Sequence, residues 1–359
     1  MNDDNYPGMD QGTSSVPAQP APGGATPPTI DQWRRLYEAA AEIKRVAPWD
    51  NLWDCDLITI MLKGNDEPVC CSVMGRNGEC YAIGVYAGYE SIMSYYHLVE
   101  ALDNTPPYIA CFEQKCLMCY FGDREEVTPV DRNIYNELNI KFRGRNAWVY
   151  FRNLDPGFHP WYIDTEQADL LISVYEQLLA AYADYINNKL AVDFDGGETI
   201  VRRYVPEQDA YVTAVETMPQ IEIKTASLVI GNELLIASLK RQKFNKRVLE
   251  MDIMFLPIPI QENKLERPYT PRFIMLADRN SGLILDQHMA EPEEDIDGTV
   301  INMVIRYIES FGRPAVIYVR NDRSGRYIYD LCGKTGIKTV VGDELSAIDN
   351  IVEELLDMM

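Results

Sequence analysis

VLEMDIMFLPIP, residues 248–259, is the stretch from which the fold can be read. Leu249, Met251, Ile253 and Phe255 alternate with Glu250, Asp252 and Met254, the period of a strand, and Pro257 and Pro259 end its ladder because they have no N–H to donate. Working outward, Phe273 to Ala277 and Leu283 to Met289 flank Asp278-Arg279-Asn280-Ser281-Gly282, a turn-rich pentapeptide that joins two strands into a hairpin. Val300, Ile301, Val304, Ile305 and Ile308 then form a helical stripe that stops at Gly312, with Pro314 beyond it. Ala315 to Val319 is a continuous apolar run, the pattern of a strand covered on both faces. A short helix with Tyr327, Ile328 and Leu331 leads through Gly333 and Gly336 to a last strand, Ile337 to Val341. Strand, helix, strand implies a parallel pair joined by a right-handed crossover.

A three-strand meander followed by alternating helices and parallel strands resembles the ribonuclease H-like core of integrases and transposases. Gly312-Arg313-Pro314 entering the fourth strand and Lys334-Thr335-Gly336-Ile337-Lys338 entering the fifth belong to the same resemblance. The resemblance implies acids on the first strand, just after the fourth strand and on the last helix, holding two divalent cations. Asp252 falls at the first of these places, and Asp349 and Glu353 lie on the last helix. After the fourth strand stands Arg320-Asn321-Asp322, a cation where the acid is expected and an Asp two residues later. The whole chain is also similar to a group of uncharacterised bacterial two-domain proteins, a resemblance that implies no activity.

The 359 residues are long enough for two cores. Residues 1–29, rich in Pro, Gly, Ser, Thr and Gln, read as a disordered tail. Residues 30–195 read as an α+β domain that opens on the capping box Thr29-Ile30-Asp31-Gln32 and the helical stripe Trp33, Leu36, Tyr37, Ala40 and Ile43. Strands follow at Leu57 to Leu62, Val69 to Met74, Cys80 to Tyr86, Tyr108 to Phe112, Cys116 to Phe121 and Trp148 to Phe151. Helices are expected around Ser91 to Leu102 and from Glu166 to Asn187. Residues 196–243 hold strands at Thr199 to Tyr204, Tyr211 to Val215 and Ile221 to Leu228, then a helix from Glu233 to Lys243, and the pattern does not say which domain they join. Residues 244–359 form the α/β ribonuclease H-like domain, which should fold alone.

Motifs with chemistry are few. The C-x-x-C of Cys116 and Cys119 lies in a strand, where an offset of three points the thiols to opposite faces, so buried thiols are favoured over a zinc site. With three histidines and neither a nucleophile elbow nor a phosphate loop, acyl transfer and nucleotide hydrolysis gain no support; His159 is expected to pack on aromatics in its loop. There is no apolar run of membrane-spanning length and no signal-like N-terminus, so the chain is expected to be cytoplasmic, without a membrane role.

The net charge is −22, and it is unevenly placed: residues 1–239 carry 17 Lys and Arg against 35 Asp and Glu, and residues 240–338 carry 16 against 14. Duplex nucleic acid draws affinity from cation to phosphate contacts, so the whole molecule suits it poorly and a nucleic-acid partner stays open. Arg320, Arg323 and Arg326, at the carboxyl end of the fourth strand, are candidate anion-binding residues that would take an anionic ligand or a carboxylate. The expectation is a binding or scaffolding protein with a degenerate ribonuclease H-like module and no cofactor. Two alternatives are a protein–protein adaptor and a metal-dependent nuclease or phosphoryl-transfer enzyme using Mg²⁺ or Mn²⁺ at Asp252, Asp322, Asp349 and Glu353.

Overall fold

The computed structural model describes residues 26–101, 111–218, 227–256, 258–261, 266–342 and 344–357. Two mixed sheets organise them, each covered by helices on both faces. Most of the expected N-terminal tail, the start of the strand expected at Tyr108 to Phe112 and most of the one expected at Ile221 to Leu228 lie outside the described residues.

The first sheet has the order β5-β4-β3-β2-β1-β6-β7. Its strands are β1 (Ile58–Met61), β2 (Val69–Met74), β3 (Ala82–Ala87), β4 (Cys116–Gly122), β5 (Trp148–Leu154), β6 (Glu198–Val205) and β7 (Ala210–Thr217). One face packs on α1 (Ile30–Val46), α3 (Pro129–Leu138) and α4 (Thr165–Asn188), and the other on α2 (Gly88–Ala101). Helix α1 starts on the capping box at Thr29 and buries Trp33, Leu36, Tyr37, Ala40 and Ile43, the side chains its spacing marks. Helix α3 lies in a stretch with no sequence assignment, although Thr128, Pro129 and Asp131 form a capping box with Pro in the first turn. Cys119 packs with the first face and Cys116 with the second, the opposite placement that strand geometry dictates.

Strands β6 and β7 extend this first sheet, because β6 pairs in parallel with β1, from Ile58 opposite Ile200 to Met61 opposite Arg203. That pairing joins segments about 140 residues apart, so no local pattern announces it. Helix α5 (Glu233–Arg241), by contrast, buries Ile236 and Leu239 in the second core, and the backbone N–H of Ile230 donates to Asp330 at 2.8 Å. The expected boundary at residue 244 therefore cuts through that core. A fragment of residues 227–359 should unfold cooperatively in urea, whereas one of residues 244–359 should lose several kcal/mol, at about 1.5–3 kcal/mol for each buried aliphatic side chain. Equal urea midpoints for the two fragments would contradict this packing.

The second sheet has the order β10-β9-β8-β11-β12. Strands β8 (Val248–Phe255), β9 (Arg272–Asp278) and β10 (Ile284–Ala290) form an antiparallel meander, and β11 (Val316–Val319) and β12 (Lys338–Val341) add in parallel beyond β8. This is the element order that residues 248–341 lead one to expect. Helices α5, α6 (Asp297–Phe311) and α8 (Tyr329–Thr335) cover one face, and α9 (Ser346–Asp357) covers the other; α7 (Asp322–Gly325) is a single turn after β11. On β8 the alternation decides the site. Leu249 and Met251 enter the core under α6, so Glu250 and Asp252 must face α9.

The two parts are docked through loops. The backbone N–H of His159 donates to Pro268 O at 3.0 Å, that of Thr270 donates to Gly157 O at 2.6 Å, and Arg267 reaches Asp155 at 2.5 Å and Asn153 O at 2.9 Å. Gly157 has a φ of +78°, and a Cβ there would lie 2.5 Å from the Phe255 ring. Only glycine both takes that turn and lets the second module approach so closely. The ring of His159 packs edge-on against Phe112 at 5.2 Å, the role expected for it.

Candidate functional site: a carboxylate cluster closed by arginine and an adjoining cavity

Strand β8 brings two carboxylates to the face under α9. Asp252 has 2% of its side chain exposed, and its Oδ2 accepts a hydrogen bond from Arg320 Nε at 2.6 Å. Arg320 stands just past β11, the parallel neighbour of β8, and its Nη2 donates to Asp349 Oδ1 at 2.5 Å. One guanidinium thus bridges the first-strand acid and the last-helix acid. Burial raises the Asp252 pKa above the ordinary carboxylate range, and the pull of Arg320 only partly offsets it. Burial alone would lower the Arg320 pKa, but Asp252 and Asp349 outweigh it and hold the guanidinium charged.

Glu250 is fully buried and was not singled out from the sequence. Its Oε2 accepts from the backbone N–H groups of Ala347 at 2.9 Å and Ile348 at 3.1 Å, and its Oε1 accepts from Arg279 at 2.8 Å. The carboxylate thereby caps the first turn of α9 from another strand, where the helix dipole favours negative charge. The available signal was that Glu250 and Asp252 alternate on a strand whose other members are apolar.

The remaining acids stand apart. Asp322 is exposed on α7 and accepts from Tyr329 Oη at 2.5 Å, and Glu353 is exposed on α9. The three marked arginines also diverge. Arg320 serves the carboxylate pair, Arg323 donates to Glu113 of the first module at 2.5 Å, and Arg326 contacts Tyr327 Oη at 2.9 Å and lies 3.8 Å from Asp297. Arg323 thus takes a carboxylate of the first module. Among the described residues no group of three or more His, Cys, Asp and Glu is placed to share a metal ion.

Arg323 and Arg326 face a cavity of about 380 Å³ between the modules, into which Arg320 does not reach. From the first module it is lined by His97 and Glu113, and from the second by Phe255 and Arg272 at the adjoining ends of β8 and β9. Burial and the nearby Arg323 push the His97 pKa below the ordinary histidine range, against the opposing pull of Glu113 and Glu100.

Residues 33–202 match the model of a domain of unknown function, DUF7309, and residues 235–356 match that of a second, DUF6930. No curated protein matches the chain. Among solved structures, the chain is similar to the HTLV-2 integrase catalytic core domain in complex with magnesium, dimeric form. That match has 17% identity and a TM-score of 0.23, and covers 33% of this chain and 74% of that one. It is also similar to a chain of the simian T-cell lymphotropic virus intasome in complex with PP2A regulatory subunit B56 gamma. There the identity is 17% and the TM-score 0.24, with coverage of 34% of this chain and 43% of that one. Both likenesses concern about a third of the chain. No helix among the described residues is long and apolar enough to cross a membrane.

Proposed function

We propose that this chain is a non-catalytic cytoplasmic binding protein in which a ribonuclease H-like C-terminal module keeps acids typical of that fold but ties them to arginine. One observation carries the reading: the Arg320 guanidinium bridges Asp252 and Asp349. A two-metal site needs such carboxylates directed at cations about 4 Å apart. Here their oxygens face a cation that belongs to the chain. At an effective dielectric of about 20, a like charge 4 Å from a metal costs roughly 4 kcal/mol per unit charge, so metal and arginine exclude each other in this arrangement. Asp322, engaged by Tyr329, supports the same reading, since it forms no metal-holding group with the other acids among the described residues.

Binding is the remaining use of such a module, with a protein partner or an anionic ligand as the object. Titration of the full chain with Mn²⁺ should show no stoichiometric site. Incubation with DNA or RNA in Mg²⁺ or Mn²⁺ should give no cleavage. Metal-dependent cleavage that disappears in Asp252→Asn would overturn the proposal in favour of a nuclease using Asp252, Asp322 and a C-terminal acid, Asp349 or Glu353. Arg320→Ala removes the competing cation and is the variant in which Mn²⁺ affinity should first emerge.

A further inference from the structure

We infer that the cavity between the modules is a binding site for a small organic anion with an apolar or aromatic body. This rests on the reading of the chain as a binding protein and adds where, and for what chemistry, it binds. In a chain of net charge −22, the walls of this cavity carry Lys115, Arg272, Arg323 and Arg326 against Glu90 and Glu113, an excess of two positive charges. Low-dielectric walls of one sign focus potential into a cleft, so an anion is drawn to this place although the surrounding molecule repels it.

The cations differ in availability. Lys115 is taken by Glu90 at 2.5 Å and Arg323 by Glu113. Arg272 donates to the Pro292 carbonyl at 2.7 Å and has no carboxylate partner among the described residues, and Arg326 holds Asp297 only loosely, at 3.8 Å. A guanidinium has five N–H donors, so Arg272 and Arg326 keep donors for a carboxylate, phosphate or sulfonate. The rest of the surface is mostly apolar, with Met93 of the first module and Ile253, Met254 and Phe255 of the second among its lining residues. A bare inorganic anion would leave that surface unfilled, and a neutral apolar molecule would leave the guanidinium donors unanswered. At about 380 Å³ the space is within the range of small-molecule sites.

The Glu113–Arg323 pair crosses from one module to the other at this cavity and competes with a ligand for Arg323. Neutralising Glu113 should therefore tighten binding, an effect that loss of a purely structural contact would not produce.

The test is titration of the full-length chain with anilinonaphthalene sulfonate, followed by fluorescence and calorimetry. One site is expected. Arg272→Gln and Arg326→Gln should each weaken it about tenfold, and Glu113→Gln should strengthen it severalfold. Inorganic phosphate and uncharged anilinonaphthalene should each bind at least about tenfold more weakly than the sulfonate. Absence of a saturable site, equal binding of the uncharged analogue, or unchanged affinity in the two arginine variants would each overturn the inference. Should an arginine variant unfold, Glu113→Gln still decides, because weaker or unaltered binding there contradicts the competition. Mn²⁺-dependent cleavage would sink the non-catalytic reading alone, since the probe titration is read without metal.

Discussion

Arg320→Ala is expected to cost about 3–5 kcal/mol of stability near neutral pH, the cost of leaving a buried charge without its partner. Asp252 is the charge in question, since its side chain is 2% exposed. Its folded pKa is already raised by burial and should rise further once Arg320 is gone. A carboxyl whose folded pKa lies above its unfolded value near 4 holds its proton more tightly in the folded state. Stability from that group is then fully present at the acid end and declines as pH rises through the folded pKa. The deficit of the variant should accordingly be small in acid and fully developed at neutral pH. Urea midpoints of both proteins across this range provide the check, and a deficit that does not vary with pH would exonerate Asp252. Combining Asp252→Leu with Arg320→Met should recover much of the loss, because an apolar replacement of a buried ion pair is often neutral.

Glu250→Ala should be comparably severe, at about 3–5 kcal/mol. It leaves the N–H groups of Ala347 and Ile348 without an acceptor inside the protein and removes the carboxylate from Arg279. Glu250→Gln should be milder, since an amide oxygen at the Oε2 position still accepts from Ala347 and Ile348 while its NH₂ opposes Arg279. Hydrogen exchange is the sharper readout here. Amides in the first turn of α9 should lose protection before those of β8 and β9. Protection lost uniformly over the module, or not at all, would mean that Glu250 does not anchor the helix.

The second sheet was legible because its signals are local. Strand alternation around Asp252, the Gly-terminated hairpin, the stripe ending at Gly312 and the apolar run before Arg320 each lie within about fifteen residues, and they fix element order before any tertiary contact is known. The placement of Arg320 beside Asp252 comes from the parallel pairing of β8 with β11, which the crossover from β11 to β12 does not by itself supply. Where contacts are distant, the sequence was silent. Nothing near Ile200 signals that it lies opposite Ile58, and Ile236 and Leu239 look the same whichever core they enter. The cavity belongs to this second kind. Its walls come from six separate segments, and neither Arg272 nor Glu113 carries a local pattern that relates it to Arg326. Helix α3 differs from these, because the capping pair Thr128 and Asp131 is a local signal for its start.

The two polar ties on α9 have a geometric consequence. Glu250 grips its first turn and Arg320 holds Asp349 just beyond, so the helix meets the sheet at two points that cannot both be kept if it rotates or slides. A shift of one turn would carry it about 5.4 Å along its axis and break every one of these bonds. Ala347, Ile348 and Val352, packed on Met275 and Ala277, exert no comparable directional control, because apolar contacts tolerate a neighbouring register at modest loss. In this module, burial determines how firmly the last helix is held, and Glu250 together with the Asp252–Arg320–Asp349 bridge determines its register.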